Sequence, residues 1–235
     1  MEVTDINDAA LLSVRVEELD RADGLRPAGG TGWIVVEGLD MGRTDGSDEY
    51  ELAYGPYLAE SCVAQNRSCE TNPAAASPSA SNCAVRCRAV AGVGALLQVH
   101  LRVLPEGAPM LGNDDLSVSY RPPLVESVTG RGATQSATAG GDPIVVNGAN
   151  FGAPPAPDLR VVYGLQGGDM WRYEALGCEI VSDSTISCRS AEGGGKALNL
   201  AVLGIGGQDS ELDANVCVCA EDGALRKPPH VELPY

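Results

Sequence analysis

The chain contains few aromatic residues, few histidines and few basic residues. Aromatic side chains make up 4% of its 235 residues, so its cores are predicted to consist of Val, Leu, Ile and Ala. Its 16 Lys and Arg are outnumbered by 32 Asp and Glu, which gives a net charge of −16. Because this charge repels phosphate backbones and anionic membrane surfaces, the composition argues against a nucleic-acid partner.

Long apolar runs and extended helical periodicity are also missing. No apolar stretch approaches the length needed to cross a membrane, and the N-terminus lacks the charged-then-apolar profile of a signal peptide. The 29 Gly and 15 Pro instead predict many short strands and tight turns. The expectation is an all-β segment of a longer protein.

The sequence repeats one phrase. Residues 28–42 and residues 139–152 both run Ala-Gly-Gly, then Ile-Val-Val, then Gly-x-[Asp/Asn]-x-Gly. Each copy predicts a Gly-rich turn, a short β-branched strand and a second turn. The copies lie about 110 residues apart, which is the length of one small domain.

A second phrase repeats in the same order. Cys87 and Cys188 are each followed by Arg, a Gly-rich turn and an apolar strand. Arg121 and the two prolines after it separate the copies. The sequence therefore predicts two tandem domains, residues 1–121 and residues 122–235.

The N-terminal strand has two interpretations. Residues 8–16 resemble residues 114–120, which end the first copy. The segment either mixes the last strand of a preceding unit with the first strand of this one, or it is an ordinary first strand.

Eight cysteines in a loop-rich β protein indicate disulfides and an oxidising compartment. A hairpin centred on Asp183 would place Cys178 directly opposite Cys188, at a separation that a disulfide can span. The repeat maps Cys188 onto Cys87 and Cys178 onto Cys62. The sequence therefore predicts the disulfides Cys178–Cys188 and Cys62–Cys87.

The segment from Cys62 to Cys87 is longer than its counterpart in the second copy. It contains a Pro-, Ser- and Ala-rich stretch that cannot build a core. Cys69 and Cys83 are predicted to form a disulfide nested within Cys62–Cys87. Asn66 begins an N-glycosylation sequon, which fits a secreted surface loop. This insertion is expected to carry what is specific to the protein.

Cys217 and Cys219 have no assigned partners. They are two residues apart on a predicted strand and face the same way, so they pair with each other, stay free or bond to a partner chain. No Cys-x-x-Cys pair occurs, and His100 and His230 are far in sequence from any cysteine cluster. This spacing argues against a zinc site.

Enzymatic motifs are missing as well. Neither histidine has a neighbouring Ser or Cys nucleophile in a recognisable turn, so the sequence predicts a non-catalytic chain. Residues 193–196, Gly-Gly-Gly-Lys, lack the spacing of a phosphate-binding loop and are predicted to form a hairpin turn. Trp33 and Trp171 are expected to pack in a core or to cover a sheet edge.

The strand after the second Gly-rich turn has one apolar face. Ile144 and Val146 are predicted to point into a sheet-on-sheet core, while Val145 and Asn147 point away from it. Gly148 and Gly152 are predicted to allow positive φ in the turn that follows. Residues 97–103 alternate between apolar and polar side chains in the same half-buried manner, with Leu97, Val99, Leu101 and Val103 on the apolar face.

The motifs of the second copy resemble a known family. They include Gly-Gly-x-x-Ile-x-Val-x-Gly-x-Asn-Phe-Gly and a Cys-Glu-Ile strand that returns as Thr-Ile-Ser-Cys. These phrases are similar to the IPT/TIG domain of plexins, Met-type receptors, many cell-surface proteins and some transcription factors. The first copy diverges, with Asp-Met-Gly replacing Asn-Phe-Gly. The resemblance implies an all-β protein of two tandem, disulfide-stabilised immunoglobulin-like β-sandwiches. The residues of the second copy that match the family are 125–128, 140–152, 178–188, 193–195 and 207–210.

Calcium is the one cofactor for which the sequence offers candidate ligands. Ca²⁺ requires six to eight oxygen ligands, which can converge where loops of adjacent domains meet. The alternative is that acidic loops only keep the module soluble and no cofactor binds. The candidate oxygen donors are Asp5, Asn7, Asp8, Asn113, Asp114 and Asp115.

Together these features predict a non-catalytic extracellular module for structure or adhesion. It would be a rod-like segment of a larger cell-surface or secreted glycoprotein, contacting protein partners or neighbouring copies through loops and sheet edges. One alternative is the accessory, carbohydrate-associated β-sandwich of a secreted enzyme, which would need an aromatic platform. A second alternative is a calcium-dependent adhesion module. A third is an intracellular transcription-factor module, and this one would require basic loops and reduced thiols.

Overall fold

The computed structural model describes residues 10–17, 32–39, 49–65, 82–104, 111–165, 169, 171–195, 198–210 and 217–218. Within these residues the protein is nearly all β. The chain divides into two compact units between Arg121 and Pro122. Unit 1 is the part up to Arg121, and unit 2 is the part from Pro122 onward.

The described part of unit 1 forms two antiparallel four-stranded sheets. Its strands are β1 (Ala10–Glu17), β2 (Trp33–Leu39), β3 (Glu49–Tyr54), β4 (Tyr57–Leu58), β5 (Cys62–Ala64), β6 (Asn82–Arg88), β7 (Leu97–Leu104) and β8 (Leu111–Val118). In order of pairing, one sheet is β1-β2-β6-β5 and the other is β4-β3-β7-β8. Because β1 pairs along β2, it is the ordinary first strand of this unit.

The two sheets of unit 1 share one core. On β7 the buried side chains are Val99, Leu101 and Val103, and they alternate with outward-facing polar residues as the sequence predicts. Val99 and Leu101 pack with buried residues of the other sheet, among them Ile34 and Val85. This shared core fixes which face of each strand is available to solvent.

The described part of unit 2 has the same strand order as unit 1. One sheet is β13-β14-β10-β9 and the other is β12-β11-β15-β16, again antiparallel. The elements are β9 (Leu124–Thr129), α1 (Arg131–Thr134), β10 (Pro143–Ala149), β11 (Arg160–Gly164), β12 (Tyr173–Glu174), β13 (Leu176–Ser182), β14 (Thr185–Arg189), β15 (Leu198–Leu203) and β16 (Cys217–Val218). In the described residues, no helix is long and apolar enough to cross a membrane.

The β10 strand has the predicted apolar face. Ile144 and Val146 are fully buried, whereas Val145 and Asn147 are half-buried. Gly152 has a φ of 73°, as the predicted turn requires. The prediction of positive φ at Gly148 is wrong, because this glycine lies inside β10 and its role is a close approach to the carbonyl of Leu124.

The core contains more aromatic surface than the composition predicts. Tyr54, Tyr120 and Phe151 are among the largest fully buried side chains. Both tyrosines bury their rings because their hydroxyl groups find hydrogen-bond partners inside unit 1. These three aromatic residues therefore fill space in the cores of the described residues.

Candidate functional site

Two disulfides lie at matching places in the two units. In unit 1, Cys62 on β5 bonds to Cys87 on β6, with the Cα atoms 4.0 Å apart. In unit 2, Cys178 on β13 bonds to Cys188 on β14, with the Cα atoms 4.2 Å apart. Each bond ties an edge strand to its neighbour in the sheet.

The remaining cysteine and glycan predictions fall where no side chain is described. Cys69, Cys219 and Asn66 lie outside the described residues. Cys83 belongs to β6 and Cys217 to β16, but only their backbones are described. The nested disulfide and the glycan therefore stay predictions, and the partners of Cys217 and Cys219 stay open.

The calcium donors are not brought together in the described residues. Asp5, Asn7 and Asp8 lie outside them, and residues 113–115 belong to strand β8 instead of a loop. Asp115 is exposed there. Across the described chain, no group of three or more His, Cys, Asp and Glu side chains is placed to hold a metal ion.

The two tryptophans differ in exposure. Trp33 is half-buried on β2, an interior strand of its sheet, and the Arg86 guanidinium lies 4.3 Å from the centre of its ring. Trp171 is 56% exposed, so of the two expected roles it does not pack in a core. It lies in the turn before β12, where its ring is open to solvent.

The Gly-rich segment of unit 2 does not form the predicted hairpin. It joins β14, which pairs with β10 and β13, to β15, which pairs with β11 and β16. The segment therefore crosses from one sheet to the other. We call residues 190–195 the crossing segment.

A cavity of about 180 Å³ lies beside the crossing segment. Two tyrosines form one side of it: Tyr163 on β11 and Tyr173 on β12, whose ring centroids are 5.4 Å apart. The Tyr163 hydroxyl accepts a hydrogen bond from the Ala191 backbone N–H at 2.8 Å. The Tyr173 hydroxyl donates to the Gly194 carbonyl at 2.7 Å. Each ring is thus fixed by the backbone of the crossing segment.

The opposite wall of the cavity comes from α1 and the residues after it. The Thr138 carbonyl accepts a hydrogen bond from Gly193 N–H at 2.9 Å. The Ser136 hydroxyl donates to the hydroxyl of Ser190, which is 2% exposed, at 2.9 Å. Because these bonds join the wall to the crossing segment, the cavity is a fixed feature of unit 2.

The same tyrosine pair exists in unit 1. The Tyr54 and Tyr57 ring centroids are 5.6 Å apart, and Tyr54 accepts the Val90 N–H at 2.9 Å. Tyr57 donates to the Val93 carbonyl, also at 2.9 Å. Val90 and Val93 stand three and six residues after Cys87, as Ala191 and Gly194 stand after Cys188. The arrangement is therefore duplicated.

Unit 1 adds a third tyrosine to this pair. Tyr120 donates a hydrogen bond to the Val90 carbonyl at 2.8 Å, and its hydroxyl is 3.2 Å from that of Tyr54. Its ring meets Tyr57 edge-on, with 5.4 Å between centroids. Tyr120 is 1% exposed, so unit 1 is filled at the place where unit 2 has its cavity.

Burial changes the acidity of three of these tyrosines. Desolvation raises the pKa of Tyr54, Tyr120 and Tyr163 above its usual value near 10, because the buried site disfavours the phenolate. At Tyr120 the hydrogen bond with Tyr54 raises the pKa further. None of the three is therefore suited to act as a base at neutral pH.

We expect the three buried tyrosines to stay protonated in the folded protein past pH 10. Unfolded tyrosines ionise near pH 10, so the stabilisation from these groups is complete below about pH 10 and is lost as the pH rises toward the raised folded pKa values. An absorbance titration of tyrosinate, compared with urea unfolding at each pH, measures both effects. Tyr120→Phe should reduce the number of late-titrating groups by one. Ionisation of all seven tyrosines near pH 10 without unfolding would contradict the burial.

The tyrosine cluster is what the sequence interpretation missed. Tyr54 and Tyr57 are separated from Tyr120 by more than 60 residues, and no local pattern joins them. One signal was available. A Gly stands five residues after the disulfide cysteine in both copies, and at Gly92 and Gly193 a Cβ would collide with a tyrosine ring.

The chain has only weak similarity to known proteins, and that similarity is to solved structures. No protein-family model and no curated protein matches the sequence. A structure of the S-layer protein SbsC, domains 5–6, is similar over 86% of this chain and 94% of that chain, with 12% identity and a TM-score of 0.20. A structure of surface layer protein SbsC, domains 4–9, has 12% identity and a TM-score of 0.21, and the match covers 30% of that chain. Similarities this weak support no conclusion about fold or function.

Proposed function

We propose that this chain is a non-catalytic structural or adhesion module of a cell-surface or secreted protein. Its two units would be tandem immunoglobulin-like sandwiches of the IPT/TIG type. They would act through protein contacts with a partner or with neighbouring copies.

The observation that carries the proposal is the pair of matching disulfides. Cys62–Cys87 and Cys178–Cys188 close loops with sequence separations of 25 and 10 residues. Each contributes about 3 kcal/mol on the chain-entropy model. Such structural bonds form and persist in oxidising compartments and are rare in the cytosol. The chemistry of these cysteines supports an extracellular position.

The strand order supports the immunoglobulin-like part of the proposal. In each unit one sheet pairs its strands as first, second, sixth and fifth, and the other as fourth, third, seventh and eighth. With strands lettered in chain order, this pairing matches the A-B-E-D and C′-C-F-G order expected of an immunoglobulin-like sandwich, which supports the proposal. Fold alone does not assign an activity.

The edge strands supply a surface for protein contacts. Val63 on β5 and Leu176 and Val181 on β13 are between 56% and 63% exposed. An edge strand also presents unpaired backbone donors and acceptors, which a partner strand can meet. Exposed aliphatic side chains on an open edge therefore favour a binding role over a purely inert spacer.

Peptide mapping without reduction tests the proposal. After secretion through an oxidising compartment, the protein should yield linked peptides for Cys62–Cys87 and Cys178–Cys188. Double replacement of Cys178 and Cys188 by Ser should lower the free energy of unfolding of unit 2 by about 3 kcal/mol. Reduced wild-type protein serves as the control. Eight reactive thiols in the native protein would overturn the extracellular role.

A carbohydrate-associated module is the second candidate, and one observation favours it. The exposed ring of Trp171 is followed by Arg172 and Tyr173, with the Arg172 guanidinium 5.4 Å from the centre of the Tyr173 ring. Exposed aromatic faces stack on apolar faces of ligands. The described residues offer no comparable observation for calcium-dependent adhesion.

A further inference from the structure

The cavity of unit 2 corresponds to the position of a side chain in unit 1. Its lining includes Tyr163, Tyr173 and Ala191, which match Tyr54, Tyr57 and Val90 of unit 1. In unit 1 these three groups surround the ring and hydroxyl of Tyr120. The cavity therefore retains the surroundings of a tyrosine ring.

Strand pairing explains the difference between the units. Leu97 pairs with Val118 in unit 1, and Leu198 pairs with Val218 in unit 2. Two residues after Val118 the sequence has Tyr120, and two residues after Val218 it has Ala220. Position 220 lies outside the described residues, and the alanine at this position has no aromatic ring.

We propose that the cavity of unit 2 binds a phenol ring that none of the described residues of this unit supplies. The ring would lie against Tyr163 and Tyr173 as the Tyr120 ring lies against Tyr54 and Tyr57. Its hydroxyl would donate to the Ala191 carbonyl, as Tyr120 donates to Val90. The ligand is either a free phenol or the tyrosine side chain of another polypeptide. The inference does not depend on the extracellular role proposed above.

The lining selects for a neutral aromatic ligand. Its lining residues are Gly, Ala, Thr, Gln, Ser, Tyr and Leu, so no charged side chain of the described residues lines it. A burial site without a charged partner disfavours ions. A cavity of about 150 Å³ accommodates benzene, so one of about 180 Å³ has room for a phenol.

The Ala191 carbonyl adds specificity for the hydroxyl. Within the described part of the chain, no donor is bonded to this carbonyl, although the N–H of the same residue is bonded to Tyr163. The equivalent carbonyl of Val90 accepts the Tyr120 hydroxyl. A ring that carries a hydroxyl should therefore bind more tightly than the same ring without one.

A titration of the full chain with p-cresol and with toluene, followed by amide NMR, tests the inference. We expect p-cresol to shift the amide signals of Ala191, Gly193 and Gly194 with a Kd on the order of 1 mM. Toluene should bind roughly fivefold more weakly, which is the effect of one neutral hydrogen bond. The amides of Val90 and Val93 should not shift, because Tyr120 fills unit 1.

Matched variants and a second ligand complete the experiment. Thr134→Trp obstructs the cavity at its wall and should abolish binding, whereas Thr129→Trp, exposed on β9 and away from the lining, should not. N-acetyl-tyrosinamide identifies the source: equal binding indicates a tyrosine side chain, and its failure beside p-cresol indicates a free phenol. Equal affinity for toluene and p-cresol, or no shift in unit 2 at 20-fold the expected Kd, would overturn the proposal.

Discussion

Replacing Gly148 with Ala is expected to lower the free energy of unfolding of unit 2 by about 3 kcal/mol. The added Cβ would collide with the Leu124 carbonyl oxygen on β9 and lie 2.8 Å from the Cζ atom of Phe151. Phe151 is fully buried, and a backbone carbonyl cannot rotate away, so neither neighbour can yield at low cost. Chemical unfolding of the variant measures the loss, and thermal unfolding should show a midpoint lower by roughly 10 °C.

Gly194→Ala is the matched control. Neither Gly148 nor Gly194 has a φ in the left-handed region, and a Cβ at Gly194 meets no atom within 4 Å. The two substitutions make the same chemical change and differ in the space available. The control should stay within about 0.5 kcal/mol of wild type. Equal destabilisation by both would show that the approach of β9 to β10 is not what requires the glycine.

The parts of the fold that the sequence predicts are those encoded over short distances. Alternation along β7 and β10 requires only neighbouring residues, and it identifies the buried faces correctly. The hairpin that brings Cys178 opposite Cys188 is also local. The observed pairs Glu179–Ser187 and Ile180–Ile186 have the register of a turn centred on Asp183.

The crossing segment could not be assigned in this way. Three glycines followed by a lysine are compatible with a hairpin and with a connection between sheets, since both need a flexible backbone. The choice depends on the partner of β15, which is β11, some 40 residues earlier in the chain. Long-range pairing of this kind leaves no periodic signal in the segment itself.

The cavity is even harder to predict from the sequence. It depends on the spatial meeting of Tyr163, Tyr173 and the crossing segment, and on the residue that replaces Tyr120 in the second copy. The repeat was recognised from its Gly and Cys positions, which are scaffold. The two copies differ here in an aromatic residue that one has and the other lacks.

Tyr120→Ala is expected to lower the free energy of unfolding of unit 1 by about 4 kcal/mol. The substitution removes a ring that is 1% exposed and that contacts the rings of Tyr54 and Tyr57. It also removes the donor to the Val90 carbonyl. Tyr120→Phe keeps the ring and loses the hydroxyl, so its cost should be about 1 kcal/mol. Urea unfolding of both variants separates the packing of the ring from the hydrogen bond.

The Tyr120→Ala variant also tests whether unit 1 can be given the binding property proposed for unit 2. Tyr120→Ala gives unit 1 the pair of tyrosines and the open carbonyl that unit 2 has, so p-cresol should now stabilise unit 1 as well. With a Kd of about 1 mM, 5 mM p-cresol should restore about 1 kcal/mol, because a ligand that binds only the folded state adds RT ln(1 + [L]/Kd). Tyr120→Phe, in which the ring still fills the space, should show no such gain in unit 1. If p-cresol rescued neither variant, or both equally, the ring of Tyr120 would not be what distinguishes the filled unit from the open one.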